Sequence, residues 1–136
     1  MMYEPIYSPW GKVQNCKELC PGIYSVSTAS HGGIMAVKDV ATTVLSENAQ
    51  KCGFWDGRFL CFEEDCDAPV AIRELLDKNL YAAPVNEHWK PGEYSACIDG
   101  SLQRHHPDYW TAYTQSADKG SKDDNQRQHS RKERER

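Results

Sequence analysis

The residues of this chain that could do chemistry at neutral pH are concentrated in the polar segment 27–33, which reads Ser-Thr-Ala-Ser-His-Gly-Gly. A histidine titrates near neutral pH and can act as a base, a metal ligand or a hydrogen-bond donor. The adjacent Gly32 and Gly33 allow either a positive φ or the close approach of another group. Ser30, His31 and the two glycines therefore form the first candidate site, at a predicted turn between two apolar runs.

A dense acidic segment, 63–67, supplies the second half of this candidate site. If the strand before it lies beside the turn, then Glu63, Glu64 and Asp65 are delivered next to His31. A histidine oriented by a carboxylate, beside free backbone N–H groups, is the arrangement of a general base with an oxyanion site. A small hydrolase or transferase that uses His31 and Ser30 with Glu63 and Asp65 is one hypothesis that follows.

The same residues also have a structural interpretation, which we favour. His31 hydrogen-bonds a buried acid and fixes the turn, while residues 63–67 act as anions at a helix N-terminus. On this interpretation, His31→Ala lowers stability by on the order of a few kcal/mol, as the loss of a buried network does. Metal binding by His31 together with the acids is the third alternative.

The remaining candidates carry weaker signals. The close cysteine pairs are Cys16–Cys20 and Cys61–Cys66, which lack the C-x2-C spacing of zinc sites. We expect the six cysteines to be buried reduced thiols and predict neither a metal nor a cofactor. The pair His105–His106 is expected to be exposed and inert, and the chain has no glycine-rich nucleotide loop and no nucleophile elbow.

Local patterns predict the elements that must position these residues. Segments 23–28 and 34–37 are rich in strand formers and predict either a hairpin or a strand and a loop that leads into a helix. Asp56-Gly57 predicts a second hairpin, whose strand 59–62 is apolar enough to be covered on both faces. Residues 1–9 are predicted to be an extended arm that Trp10 packs onto the core.

Apolar periodicity predicts the helices, one of them over 38–50. A second runs over 68–79, with Asp67 as its N-cap and Asn79 as its C-terminal stop. A third spans 93–102 and is broken near Gly100, and a last short one lies within 108–113. The predicted fold is an α+β domain, a small antiparallel sheet with two or three helices packed on it.

Composition bounds the domain and its partners. The chain has 136 residues and a net charge of −4, which fits a single domain over 1–116. Residues 117–136 hold seven Lys/Arg and five Asp/Glu but no large apolar side chain, so they are predicted to be a disordered charged tail. The body is acidic, with nine basic and fifteen acidic residues, which argues against direct nucleic-acid binding except through the tail. With no apolar run near ~20 residues and no signal peptide, we expect a cytoplasmic protein without membrane contact.

Four motifs together resemble a small domain of unknown function found in phage, plasmid and other mobile-element proteins. They are Ser-Pro-Trp-Gly at 8–11, Pro-Gly-Ile at 21–23, the segment 27–33 and Phe-Glu-Glu-Asp-Cys-Asp at 62–67. The resemblance covers about residues 8–113. It implies a biological context and no particular chemistry.

Two classes of function follow. The first is a non-catalytic accessory protein of a mobile element that binds another protein, such as a host CRISPR or restriction complex, through Ser30, His31, Gly32, Gly33, Glu63, Glu64 and Asp65. An acidic inhibitor can occupy a basic surface that normally holds nucleic acid. The second is the small hydrolase or transferase described above.

Overall fold

The computed structural model describes residues 4–116 of the chain. The predicted disordered tail, 117–136, lies outside the described residues. None of the helices within 4–116 combines the length and the hydropathy that crossing a bilayer demands.

A five-stranded antiparallel sheet forms the centre of the fold, in the order β3-β4-β5-β7-β6. A separate two-stranded hairpin, β1 and β2, precedes it. The α+β class with an antiparallel sheet is therefore confirmed. The strand bounds are β1 Tyr7–Ser8, β2 Gly11–Lys12, β3 Asn15–Cys20, β4 Ile23–Ser27, β5 Gly32–Val37, β6 Phe54–Asp56 and β7 Phe59–Glu63.

Of the two alternatives for segments 23–28 and 34–37, the hairpin is the one that forms, and the second predicted hairpin is confirmed. Strand β4 pairs with β5 from Ile23↔Ala36 to Ser27↔Gly32. The second hairpin pairs Asp56 with Phe59, so its two-residue loop is Gly57–Arg58, with a positive φ of 61° at Gly57. Part of the predicted extended arm instead forms one strand of the hairpin β1–β2, whose turn is Pro9–Trp10.

Strand β3 was not predicted from the sequence. Its central residues are charged, Lys17 and Glu18, and they do not show the apolar alternation of a half-buried strand. The strand forms because β4 offers it a free edge and pairs with it from Asn15↔Ser27 onward. Charged side chains are typical of an edge strand, where they discourage pairing with other chains.

Five helices pack on one face of the sheet, more than the two or three predicted. Their bounds are α1 Lys38–Val44, α2 Glu47–Gln50, α3 Ala68–Asp77, α4 Glu93–His105 and α5 107–116. The single helix predicted over 38–50 is wrong, because the chain is extended at Leu45 and Ser46. There the Ser46 side chain caps α2 by accepting a hydrogen bond from the Ala49 N–H.

Helix ends follow the predictions unevenly. Asn79 has a φ of 58° directly after α3, so it does stop that helix. Asp67 occupies the N-cap position, but its side chain makes no capping hydrogen bond. Helix α4 continues through Gly100, so the predicted break is wrong. Burial of Ile98 and Leu102 against the core outweighs the cost of about 1 kcal/mol for a helical glycine.

Both faces of the sheet are buried, as the alternating side chains of strand β7 show. Leu60 and Phe62 belong to the apolar core between sheet and helices. Cys61 belongs to a second cluster on the opposite face, which also contains Tyr24 and Met35. The predicted burial of strand 59–62 on both faces is thus confirmed. Trp10 packs against this second cluster, as predicted.

We expect Gly33→Ala to lower the free energy of unfolding by about 1–3 kcal/mol, the usual range for overpacking. A Cβ at Gly33 would overlap the Phe62 carbonyl oxygen and the Trp10 indole ring. Urea denaturation followed by circular dichroism measures the change.

The matched control is Gly100→Ala in the interior of α4. Its Cβ would approach only the flexible end of Arg104, at 3.4 Å, so this variant should be neutral or more stable by about 0.5–1 kcal/mol. Equal destabilisation by the two variants would contradict the close approach at Gly33.

Candidate functional site

The predicted turn exists, and Thr28 holds it together. The Thr28 hydroxyl donates to the His31 carbonyl at 2.7 Å and accepts from the His31 N–H at 3.2 Å. The Thr28 N–H also donates to the His31 carbonyl, at 2.8 Å. Only backbone atoms of His31 take part. Its side chain is exposed, so the expectation of a buried histidine that fixes the turn is wrong.

Gly32 and Gly33 lie in strand β5, beyond the turn. Neither has a positive φ, so close approach is the reason for both glycines. A Cβ at Gly32 would lie 2.5 Å from the Val26 carbonyl oxygen and 3.1 Å from a Glu64 carboxylate oxygen. At Gly33 the space is taken by Trp10, whose carbonyl also accepts a hydrogen bond from the Thr28 hydroxyl at 3.3 Å.

The sheet brings the acidic segment next to the glycines. Gly33 pairs with Glu63 in the β5–β7 register, and the Glu64 N–H donates to the Gly32 carbonyl at 3.0 Å. The Glu63 carboxylate accepts from the N–H groups of Asp65 and Cys66, at 3.1 and 3.2 Å. Glu63 thus stabilises the turn before α3.

No hydrogen bond within residues 4–116 joins the His31 imidazole to Glu63, Glu64 or Asp65. The segments are adjacent, as expected, but they do not form the oriented histidine–carboxylate pair that general base catalysis requires. Ser30, His31, Glu64 and Asp65 are all exposed. The arrangement offers contact groups for a partner and no activated nucleophile.

A cavity of about 330 Å³ opens on the helical side of the sheet. Gly33 and Glu64 line it, whereas Ser30, His31, Glu63 and Asp65 do not. Its other polar lining comes from Lys17, Ser25, Ser27, Tyr81 and Tyr94. Burial raises the pKa of the Tyr94 phenol, which is therefore a neutral hydrogen-bonding group at pH 7.

His106 is not inert, in contrast to the expectation from sequence. Its Nε2 lies 2.7 Å from Oδ1 of Asp67, and both side chains are largely buried. The pair joins the start of α3 to the junction of α4 and α5. The only sequence signal was the acidic residue at the predicted N-cap, since contact between residues 39 positions apart leaves no local pattern.

A second group of polar residues lies between α3 and its neighbours. Buried Glu74 accepts hydrogen bonds from the Ser46 N–H at 2.7 Å, the Ser46 hydroxyl at 2.6 Å and the Tyr109 hydroxyl at 2.7 Å. Buried Arg73 donates to Asp99 at 2.6 Å and to Asp77 at 3.1 Å. These contacts pair the guanidinium with two carboxylates and tie α2, α4 and α5 to α3. Arg73 Nε itself is buried and makes no hydrogen bond within the described residues 4–116.

The thiols are protonated where they are buried. Burial raises the pKa of Cys61 to about 12 and that of Cys52 to about 11, so neither is a thiolate nucleophile at neutral pH. The six cysteines lie within 4–116 and none forms a disulfide. They are not uniformly buried, since Cys97 is exposed. No cluster of three or more metal-ligating residues occurs in the described part of the chain.

A family match covers nearly the whole chain. The family is described as Domain of unknown function (DUF7007), and its match extends over residues 3–136. This chain belongs to that family. The match extends beyond the resemblance at 8–113 and includes the segment 117–136. No curated protein and no solved structure matches this DUF7007 chain.

We expect Thr28→Val to destabilise the DUF7007 chain by about 1–2 kcal/mol. It removes a hydroxyl whose single proton is shared between the His31 and Trp10 carbonyls and which accepts from the His31 N–H. His31→Ala should change stability by less than about 0.5 kcal/mol, as exposed substitutions usually do. Thermal melting of both variants measures this difference. A larger loss for His31→Ala than for Thr28→Val would restore the buried-histidine interpretation.

We also expect the DUF7007 chain to lose stability between pH 10 and pH 12. Burial and a hydrogen bond to Asp77 raise the pKa of Tyr113 to about 12, above the unfolded value of about 10. A phenol whose pKa is raised by folding contributes its full stabilisation below pH 10 and loses it as the pH rises through 12.

Melting temperatures at successive pH values test this dependence. Tyr113→Phe should make the decline in this range shallower, and the part that remains comes from Cys52, Cys61 and Tyr94, whose pKa values burial also raises. Tyr7→Phe, at an exposed tyrosine, should leave the decline unchanged. The same decline in the wild type and the Tyr113 variant would rule out Tyr113 as a source of it.

Proposed function

We propose that this chain is a non-catalytic accessory protein of a mobile genetic element, which binds another protein in the host cytoplasm and inhibits a host defence complex of the CRISPR or restriction type. One observation carries the binding role. Ile6 and Tyr7, on the N-terminal hairpin, are 68% and 70% exposed. Exposed apolar side chains grouped on one ordered element are a feature of protein-binding surfaces.

We group these two residues with Trp10, which lies at the turn of the same hairpin, and with Phe54, which Trp10 contacts, and call the four the hairpin patch. Trp10 and Phe54 pack edge to face, with ring centroids 6.2 Å apart. Phe54 is itself 42% exposed, on edge strand β6. Tyr and Trp are the side chains that most often dominate binding energy at protein interfaces.

The hairpin patch is held in place before any partner binds. The Val13 N–H donates to the Ile6 carbonyl at 2.9 Å, and the Ser8 hydroxyl donates to the Gly11 carbonyl at 2.8 Å. The Thr28 hydroxyl ties the Trp10 carbonyl to the sheet. An ordered surface loses less conformational entropy on binding, which favours affinity.

Charge supports the class of partner. The turn 28–31 is hydrogen-bonded to the hairpin through Thr28. The exposed residues Glu64 and Asp65 lie close to this turn, because the Glu64 N–H bonds the Gly32 carbonyl. The body of the chain is acidic, as its composition shows. Such a surface complements the basic, nucleic-acid-binding surface of a defence protein. The resemblance to mobile-element proteins supports the same context.

The experiment uses the full chain with an affinity tag after Arg136, expressed in cells with an active CRISPR or restriction system. Plating of a targeted phage measures inhibition, and pull-down with purified defence proteins measures binding. We expect protection of the phage and a stoichiometric complex. Tyr7→Ser should weaken the complex at least about tenfold, as expected for a central interface residue.

Val85→Ser is the matched control, because Val85 is 62% exposed but lies outside the hairpin patch. It should leave binding and protection unchanged. An unpartnered chain with a turnover that His31→Ala abolishes would instead establish the hydrolase or transferase alternative.

A further inference from the structure

The cavity on the helical side of the sheet has the size and lining of a small-molecule site. Its volume of about 330 Å³ falls in the range of known ligand pockets, roughly 300–1,000 Å³. Leu19, Ile34, Ala68 and Ile72 form an apolar floor. This floor continues the core between the sheet and helix α3, so its shape is set by well-packed elements.

Two serine hydroxyls above this floor are left without a hydrogen-bond partner among the described residues. Ser25 and Ser27 are half-buried strand residues of β4, and within residues 4–116 neither hydroxyl makes a hydrogen bond to another protein group. They face the cavity together with Tyr81 and Tyr94. Hydroxyls with unused hydrogen-bonding capacity can orient a ligand over an apolar floor.

A cation and an anion both line the cavity. The Lys17 ammonium lies 5.9 Å from the centre of the Tyr81 ring, a position that cation–π attraction favours. The Glu64 carboxylate lies against Gly32, where the missing Cβ leaves room for it. Neither side chain forms a salt bridge with any residue of the described range 4–116.

The sheet register sets the distance between these charges. Lys17 pairs with Ser25, Ser25 with Ile34 and Ile34 with Phe62. Three strand spacings therefore separate Lys17 from Phe62, about 14 Å between Cα atoms. Glu64 lies two residues further along. Both residues line the cavity, so a ligand that reaches both charges has to be longer than a single amino acid. A peptide of two or three residues, at ~3.5 Å per extended residue, has a suitable length.

We propose that this cavity binds a short zwitterionic peptide, with its terminal carboxylate at Lys17, its terminal ammonium at Glu64 and an apolar side chain on the floor. One cation and one anion favour a ligand that is neutral overall but charged at both ends. A polyphosphate would meet the Glu64 carboxylate and only one cation. This proposal does not rest on the function proposed above. The two share Glu64, but no residue of the hairpin patch lines the cavity.

Isothermal titration of the full chain with the tripeptide Gly-Leu-Gly tests the proposal. We expect a Kd of about 0.01–1 mM. N-acetylation or C-terminal amidation of the peptide should each weaken binding about tenfold or more. Equal affinity for the free peptide and the doubly blocked peptide would overturn the proposal, as would no binding at about 5 mM peptide.

Matched variants assign each charge. Lys17→Met should weaken binding of the free peptide about tenfold, and C-terminal amidation should then have no further effect on its affinity. Glu64→Gln should also weaken binding about tenfold, and N-acetylation should then have no further effect. Lys38→Met and Asp65→Asn are controls at exposed residues that do not line the cavity, and both should bind like wild type. Continued sensitivity to amidation in Lys17→Met would show that Lys17 does not hold the carboxylate and would overturn the proposed orientation.

Discussion

The contact between Trp10 and Gly33 is the constraint on which the arrangement of the sheet depends. The indole ring and the Phe62 carbonyl oxygen together occupy the space that a Cβ at Gly33 would fill. This contact seats the N-terminal hairpin on the face opposite the helices, where it covers Tyr24, Met35 and Cys61. A half-covered sheet would leave these side chains in water, and burying apolar surface is the main driving force of folding.

The helical face depends on a different kind of interaction. Buried Glu74 is not paired with a cation in the described part of the chain. It is stabilised by one backbone N–H and two hydroxyls, from Ser46 and Tyr109. Hydrogen bonds to a charged group are stronger than those between neutral groups. The donors of these hydrogen bonds lie at the start of α2 and in α5. The Glu74 carboxylate therefore fixes the positions of these two helices relative to α3.

The two candidate surfaces follow from these two layers. The hairpin patch exists because the hairpin is held by Trp10 while Ile6 and Tyr7 remain outside the contact. The cavity lies where residues of α3 and of the paired strands β3 and β4 meet, and Lys17, Ser25 and Ser27 line it. The segment 30–33 and the acids that follow β7 lie between them. They contribute Gly33 to the packing of Trp10 and Glu64 to the cavity, and they leave His31 in solvent.

Local sequence determined the secondary structure wherever short-range physics is decisive. Asp56-Gly57, the run 59–62 and Asn79 act within a few residues of themselves, so the second hairpin, the buried strand and the end of α3 could be predicted, and with them the α+β class. The adjacency of β5 and the acidic segment was also predictable from the order of strands.

Only the tertiary structure decided the rest. Strand β3 forms because β4 offers it an edge to pair with. Ser46 interrupts a helical pattern because it caps α2 and hydrogen-bonds Glu74. His106 contacts Asp67, which lies 39 positions earlier in the chain. The role of Gly33 likewise depends on Trp10, 23 residues earlier in the chain. Such contacts leave no periodic signal in the sequence, because they join residues that are far apart in the chain. These residues come close enough to stabilise each other only after the fold has formed.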